Sequence, residues 1–338
     1  MAEDPGRPAP QYGVALPESL APLRDLALDL RWTWSHAADA VWRRLDPEHW
    51  AAKEDPWLLL LDIDHARLEE ASRDEALIAE IRRLDGARRA YLSDPGWLGR
   101  TRAPEELPTV AYFCMEFGVG EALPLYAGGL GILAGDFLKA ASDLGLPAVG
   151  IGLLYQEGYF RQLLDGNRIQ QESYPYNNPL TLPIVLVESP AGGLLHVDLE
   201  LPGRLLRLRV WEATIGRVKL YLLDSNDPLN RPGDRGITGQ LYGGGPELRF
   251  LQEAVLGIGG WMALEALGIE PDICHLNEGH AAFAVLERAR AYERRHRVSF
   301  EVALWATRPG NVFTTHTPLE AAFDRFQPAL IGSFGSYI

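Results

Sequence analysis

Beyond Leu107 the chain alternates short apolar runs with longer stretches of helical periodicity, and most of the apolar runs close on a turn of glycine or small polar residues. The apolar runs are Thr109–Met115, Ala148–Leu153, Asp272–Leu276 and Val312–Thr315. The helices expected around them run from about Gly131 to Leu144, from Pro246 to Leu267 and from Gly279 to His296. A strand that is apolar along its whole length is buried on both faces. Strands of that kind alternating with helices predict an α/β fold with a doubly wound, Rossmann-like parallel sheet. Between Leu180 and Leu223 the pattern changes. LPIVLVE, LLHVDLEL, LLRLRVWE and RVKLYLLD, separated by Gly and Pro turns, read as an inserted region of β-hairpins.

Upstream the pattern is helical. Leu20, Leu23, Leu26 or Ala27, Leu30 and Trp34 recur at helical spacing, Pro47 opens a second helix through Trp50, and a third is expected from about Asp64 to Tyr91. Pro95, Gly96 and Pro104 then mark a linker. Residues 1–105 are therefore expected to form an all-helical leading domain and 106–338 the sheet domain, with residues 1–12 disordered. Trp32 and Trp34 are expected in the core.

A net charge of -14 argues against a nucleic-acid surface or docking on an anionic membrane, but is compatible with a neutral polymer. Cys114 and Cys274 each lie in an apolar run and read as reduced buried thiols. The acidic, proline-rich start has no secretory character, and AVLGIGGWMALEALGI, which holds Glu265, falls short of the roughly 20 apolar residues of a membrane span. The expected location is the cytoplasm.

Three turns carry the residues suited to chemistry. Tyr126-Ala-Gly-Gly-Leu-Gly131 lies between a strand and a helix, so the first-turn amides at Gly128, Gly129 and Gly131 are placed to hold an anion without a basic side chain. A tight strand-to-helix turn explains the same glycines equally well. The spacing is one residue too long for a dinucleotide fingerprint, and no lysine stands where a Walker A loop has one. His275-Leu-Asn-Glu-Gly-His280 closes the next strand and would aim Glu278 and His280 into the crevice at the sheet edge. Strand alternation separates Cys274 from His275, so no metal site is expected, and His275 reads as a core or capping residue. Thr314-Thr-His-Thr-Pro318 closes a third strand and brings His316 to the same edge. Arg249 and Glu253, four apart on a helix, are spaced to pair. The segment Gly152–Gln162 resembles a hairpin with aromatic faces. Aromatic rings suit sugars, but packing is their commoner use.

The segments AYFCMEFGVGEALPLYAGGLGILAGDFLKAASDLGLP, GLLYQEGYFRQLLDG, PELRFLQE, HLNEGHAAFAVLE and VFTTHTPLEAAFDRF occur in the order found in the bacterial α-glucan phosphorylases, which the chain resembles from about residue 17 onward. The leader RWTWSHAADAVWRRLDPEHW is similar to the additional N-terminal domain of their bacterial and archaeal branch. The resemblance implies a GT-B fold of two Rossmann-like domains facing across a cleft, of which this chain carries the first. It implies retaining phosphorolysis of α-1,4-glucan to α-glucose 1-phosphate, with glucan and inorganic phosphate as partners and with oligomerisation left open. It also implies pyridoxal 5′-phosphate, whose phosphate group exchanges a proton with the substrate phosphate. That substrate phosphate is then both acid and nucleophile, so no glycosidase pair of carboxylates is required.

By the same resemblance His316 is the catalytic contact to the glucose. Gly128, Gly129, Leu130, Gly131, Arg249, Glu278, His280 and Thr317 are contacts to phosphate or sugar. Two stretches depart from the family pattern: Tyr242-Gly-Gly-Gly245 has no acidic or amide side chain, and Leu319–Phe323 lacks the usual proline and glycine. The chain also closes before the family's Schiff-base lysine, and Lys53, Lys139 and Lys219 are its only lysines. Covalent cofactor binding and turnover are not expected of this chain alone, which reads as a fragment. A nucleotide-sugar glucan synthase of the same fold, or a non-catalytic glucan-binding chain, are the alternative readings; a synthase has a lysine beside its glycine loop, where Tyr126 and Ala127 stand here.

Overall fold

The computed structural model describes residues 15–190, 192–318 and 323–335; the expected disorder of residues 1–12 lies outside them. The leading part is helical: α1 (Pro22–Leu28), α2 (Asp39–Leu45), α3 (Pro47–Lys53), α4 (Pro56–Asp62), α5 (His65–Ala71), α6 (Glu75–Ser93) and α7 (Gly96–Thr101). Aspartates start three of these helices. Asp46 accepts from the amide of His49, Asp55 from those of Trp57 and Leu58, and Asp74 from that of Leu77, each satisfying a first-turn donor. Proline at the first helical position of α3 and α4 fits the same logic, since its missing N–H has no intrahelical acceptor to lose. The single helix expected from Asp64 to Tyr91 is two, because Asp74 caps a fresh start after the turn at Ser72–Arg73. The expected linker at Pro95–Pro104 contains α7.

The second part is built on a mostly parallel sheet. Its strands are β1 (Val110–Phe113), β2 (Ala148–Leu153), β5 (Val185–Leu186), β6 (His196–Leu201), β7 (Arg204–Ile215), β8 (Val218–Asp224), β9 (Ile273–Asn277) and β10 (Asn311–Thr314); β3 (Arg161–Leu164) and β4 (Gln170–Ser173) form a separate two-stranded hairpin. The order is β10-β9-β1-β2-β8-β7-β5, with β6 also on β7. β10, β9, β1, β2 and β8 are parallel neighbours, whereas β7 pairs antiparallel with β8, β5 and β6.

Two expectations are corrected here. The 180–223 segments are not a separate insertion, because β8 joins β2 in parallel register, Val149 opposite Lys219, and draws β5 to β7 into the same sheet. Of LPIVLVE only Val185–Leu186 is a strand. The aromatic hairpin is also displaced: residues 154–160 form a loop after β2, and the paired strands begin at Arg161.

The remaining helices are α8 (Gly129–Leu144), α9 (Pro232–Arg235), α10 (Pro246–Ala254), α11 (Gly260–Ala266), α12 (Phe283–His296), α13 (Phe300–Thr307) and α14 (Pro328–Phe334). α10 and α11 are one continuous rod interrupted by a π-helical turn at Val255–Gly259. A β-carbon on Gly257 would lie 2.5 Å from the amide nitrogen of Ala284, so the rod approaches the start of α12 more closely than any side chain permits.

Two hydrophobic clusters result. One holds the leading helices around Leu20, Leu23, Trp42, Trp50, Trp57 and Ile81; the other fills the sheet region around Phe113, Phe117, Tyr155, Leu222 and Phe250. Polar contacts join them. The buried carboxylate of Asp29 accepts from the Gly216 amide in the β7–β8 turn at 2.8 Å and from Arg88 at 2.9 Å. Arg217 lies 3.8 Å from the Tyr91 ring centre and donates to the carbonyls of Asp94 and Ser142. Trp32 and Trp34 pack partly buried against the sheet-side core, and Trp34 donates to Asp143 on α8.

Candidate functional site

The strand order changes direction at β1: the chain goes from β1 to β2 and β8 on one side, then returns to β9 and β10 on the other. The crevice beyond the C-terminal ends of parallel strands at such a switch is where ligands bind. The residues that follow β1, β9 and β10 meet there.

After β1 comes Glu116, which sequence reasoning passed over. It is buried, and one carboxylate oxygen accepts from the amides of Ala127 (2.7 Å) and Gly128 (3.3 Å) while the other accepts from the Tyr242 hydroxyl at 2.7 Å. The glycine loop is thus tied from beneath. A β-carbon on Gly131 would stand 2.4 Å from Tyr126 and 2.8 Å from Glu116, so this glycine is a packing requirement. Gly128 and Gly129 differ: nothing lies within 4 Å of where their β-carbons would project. The amides of Gly129, Leu130 and Gly131, in the first turn of α8, have no acceptor among the described residues.

After β9 the backbone of Glu278 takes a left-handed turn, φ 64°, rare for a non-glycine residue. Its buried carboxylate accepts from the amides of His316 (2.5 Å) and Thr317 (3.1 Å) and from the Thr315 hydroxyl (3.4 Å). Expected to project into the crevice as a contact to the substrate, Glu278 lines the hollow but binds the neighbouring loop. His280 is also buried. Its Nε2 accepts the Met115 amide at 3.1 Å, so the neutral ring carries its proton on Nδ1. Burial, assisted by the nearby Arg249 charge, brings its pKa down to about 3. His316 Nε2 lies 2.8 Å from Asn277 Oδ1. Asn277 donates its amide to the Cys114 sulfur, which leaves Oδ1 as acceptor and fixes the proton of His316 on Nε2. His275 is not in the crevice: it bonds Thr314 at 2.7 Å and packs edge-on to Tyr112 and Phe137, a core role. Cys114 and Cys274 are buried free thiols, their pKa values pushed up to about 12 by burial.

A hollow of about 620 Å³ joins these groups, lined by Leu130, Tyr242–Pro246, Arg249, Glu278, His280, Thr317 and Asp324–Phe326. Of the residues singled out from sequence, Leu130, Arg249, Glu278, His280 and Thr317 share this lining. Gly129 and Gly131 flank Leu130, Gly128 precedes them, and His316 precedes Thr317. Arg249 is held by Asp324 at 2.9 Å and Glu253 at 3.5 Å, and its guanidinium lies 4.8 Å from the Tyr242 ring centre. Glu253 is the partner that the helix spacing suggested for Arg249, and it is buried. Burial and the adjoining Asp324 push its carboxyl up to about 9, so it keeps its proton at neutral pH. Burial opposes ionisation of Asp324 too, but its bonds from Glu253 and Arg249 hold it below the usual carboxylate range. The signal for Asp324 was its place eight residues beyond His316, across a segment, residues 319–322, outside the described structure. Glu116 had a plainer signal, a carboxylate directly after a buried strand and ahead of a glycine loop.

The arrangement defines an α/β protein with a polar-rimmed hollow at the C-terminal edge of a mostly parallel sheet. A family model described as a protein of unknown function, DUF3417, matches residues 16–123. The chain is 43% identical over 316 residues to the maltodextrin phosphorylase of Thermococcus litoralis, covering 94% of this chain and 38% of that relative. It is 43% identical over 323 residues to the glycogen phosphorylase of Mycobacterium tuberculosis (92% of this chain, 37% of the relative) and 33% identical over 305 residues to that of Aquifex aeolicus (90% and 43%). Over at least 90% of its length the chain is similar to the N-terminal part of these glycogen and maltodextrin phosphorylases, and it spans less than half the length of each. No helix of the described residues is long and apolar enough to cross a membrane.

Proposed function

We propose that this chain supplies one wall of the catalytic cleft of an α-1,4-glucan phosphorylase, a retaining enzyme that converts glucan and inorganic phosphate into α-glucose 1-phosphate. In this reading the parallel strands are the first of two Rossmann-like lobes of a GT-B fold, and the two hydrophobic clusters correspond to a helical unit at 1–105 and a sheet unit at 106–338. The observation that carries the proposal is the set of unpaired first-turn amides at Gly129, Leu130 and Gly131, beside a hollow that also holds Arg249, His280 and Thr317. Amides at a helix N-terminus favour an anion and require no reorganisation when one arrives.

The chemistry follows from what the residues are free to do. The phosphate proton goes to the glycosidic oxygen, the C1–O bond breaks, and a phosphate oxygen bonds C1 on the same face. Glu116 and Glu278 look like a pair of catalytic carboxylates, but each already accepts backbone amides and a hydroxyl. They position the loops; that phosphate itself is the acid is what the resemblance to the phosphorylases implies. His280, neutral and protonated on Nδ1, is a donor to a sugar hydroxyl. His316, fixed by Asn277, is the contact at the reacting glucose, and Thr317 follows it along the same rim.

Pyridoxal 5′-phosphate, implied by the family, does not fit the lysines of this chain. Lys219 bonds Glu212 and Thr214, Lys139 sits by Asp136 and Trp34, and Lys53 is exposed in the helical region; none lines the hollow.

The test is phosphate-dependent release of glucose 1-phosphate from maltoheptaose, by this chain and by a chimaera joining it to the remaining length of the Thermococcus litoralis relative. The chimaera is expected to be active and its His316→Ala variant to lose about a hundredfold in rate while melting as before. Wild-type rates in that variant would remove His316 from the site, and a phosphate-independent chimaera would end the proposal.

A further inference from the structure

Among the described residues, none from the leading helices lines the hollow, yet those helices grip the far end of the helix that opens on it. α8 runs 16 residues, about 24 Å, from Gly129 at the hollow to Leu144. Its last turn carries Asp143, an acid where the helix dipole favours a cation, so the helix itself gains nothing from it. Asp143 serves the leader instead. Trp34 Nε1 donates to one carboxylate oxygen at 3.1 Å, and the Tyr91 hydroxyl, at the end of α6, donates to the other at 2.8 Å. Tyr91 also lies 2.7 Å from the buried Ser142 hydroxyl, which accepts the Arg217 amide at 2.9 Å. The guanidinium carbons of Arg31 and Arg217 stand 3.9 and 3.8 Å from the Tyr91 ring centre and fix the ring in turn. The turn into α7 adds backbone contact: a β-carbon on Gly96 would lie 2.5 Å from the Leu144 carbonyl oxygen, and one on Gly145 2.2 Å from that of Pro95.

Between its two ends α8 is stiff. It has no proline and no π-turn of the kind that interrupts α10 and α11. Ala134, Leu138 and Ala141 are buried along it, and a β-carbon on Gly135 would lie 2.2 Å from the Gly118 carbonyl oxygen, so the helix rests directly on the backbone beyond β1. At the hollow the Gly118 amide donates to the Gly131 carbonyl at 2.7 Å, beside the unpaired amides of Gly129, Leu130 and Gly131. A helix packed this closely transmits displacement rather than absorbing it. On the phosphorylase reading those amides receive the substrate phosphate, and the inference rests on that reading. We propose that Trp34, Tyr91 and the Pro95–Gly96 turn are positioning residues for that phosphate, acting through α8 to set where its first-turn amides stand.

The experiment is amide NMR of the 338-residue chain titrated with inorganic phosphate. In the unmodified chain phosphate should shift the amides of Gly129, Leu130 and Gly131. Asp143→Ala removes the acceptor that Trp34 and Tyr91 share and should weaken phosphate binding about tenfold. It should also speed hydrogen exchange of the Gly118 and Ile132 amides, which pair at the opposite end of α8. Tyr91→Phe, which keeps the ring and loses the hydroxyl, should act in the same direction. Leu77→Ala, in the core of the leader, separates positioning from stability: it should lower the melting temperature and leave phosphate binding unchanged. Unchanged phosphate affinity in Asp143→Ala and Tyr91→Phe, or faster exchange confined to residues 139–146, would overturn the proposal and leave the phosphorylase reading intact. So would an equal loss of phosphate affinity in Leu77→Ala, which would make the leader a source of stability alone. No response of the Gly129, Leu130 and Gly131 amides to phosphate in the unmodified chain would overturn both.

Discussion

At the end of β1 a buried glutamate receives the amides of Ala127 and Gly128; at the end of β9, the adjacent strand, another receives those of His316 and Thr317. Glu116 ties its loop to the start of a 16-residue helix whose own packing fixes Gly131, and it also anchors Tyr242 from the opposite rim. Glu278 holds a loop that follows β10, the edge strand, where Val312 and Phe313 are exposed. The same chemical device therefore closes a rigid junction in one place and fastens an edge in the other. A carboxylate at a strand end beside a hollow is thus not by itself a catalytic acid: its amide partners decide its role.

Removing each carboxylate separates the two cases. Glu116→Ala leaves two amides and a hydroxyl without their acceptor and should destabilise the chain by about 4 kcal/mol in urea unfolding. A loss below about 1 kcal/mol would show that the glycine loop is held by α8 alone. Glu278→Ala should cost less globally, about 2 kcal/mol, but should release the amides of His316 and Thr317 to fast hydrogen exchange. If both variants lose the same stability with no local exchange, the contrast between junction and edge is lost.

A third carboxyl group sharpens the comparison because it has no amide partners. Glu253 is raised to about 9, well above its unfolded value, so between roughly pH 4.5 and 9 the folded chain holds a proton that the unfolded chain has lost. The stability it contributes is complete below the unfolded pKa and falls as pH rises, by up to about 1.4 kcal/mol per pH unit. Glu253→Gln should flatten this slope, and an unaltered slope in that variant would exclude Glu253 as its source. His280 acts in the opposite sense: with its pKa brought down to about 3, stability is present above the unfolded value near 6.5 and is lost as pH falls toward 3. The smallest effect is expected of Asp324→Asn, whose bond to Arg249 is partly exposed. Its melting should change by no more than about 1 kcal/mol, and a larger loss would make the Arg249–Asp324 pair part of the frame rather than of the rim.

Much of the sheet was legible because β1, β2 and β9 are short, largely buried apolar runs ending in glycine or polar turns; β10 was legible as an apolar run too, but the burial on both faces expected of it is not found, since it lies at the edge with Val312 and Phe313 exposed. The rod from Pro246 to Leu267 was legible for its periodicity, though its π-turn was not, since that depends on how closely Gly257 meets α12. β8 was read as part of a separate hairpin region. Nothing local in RVKLYLLD distinguishes a strand paired on one side from a strand that also pairs with β2. Of the site, the glycine loop, Glu278, His280 and His316 stood out because they close strands. Glu116 and Asp324 did not, since their partners lie 11 and 75 residues away along the chain.

The sequence alone determined the alternation of strand and helix, the helical leader and the three strand ends that carry polar turns, because periodicity and turn chemistry are local properties. It could not decide what those polar residues bind. Whether Glu278 meets a ligand or an amide, whether Tyr159 packs or faces water, and whether a histidine is held neutral depend on which distant groups are brought within hydrogen-bond reach and how much water is excluded. Only the folded chain sets those distances.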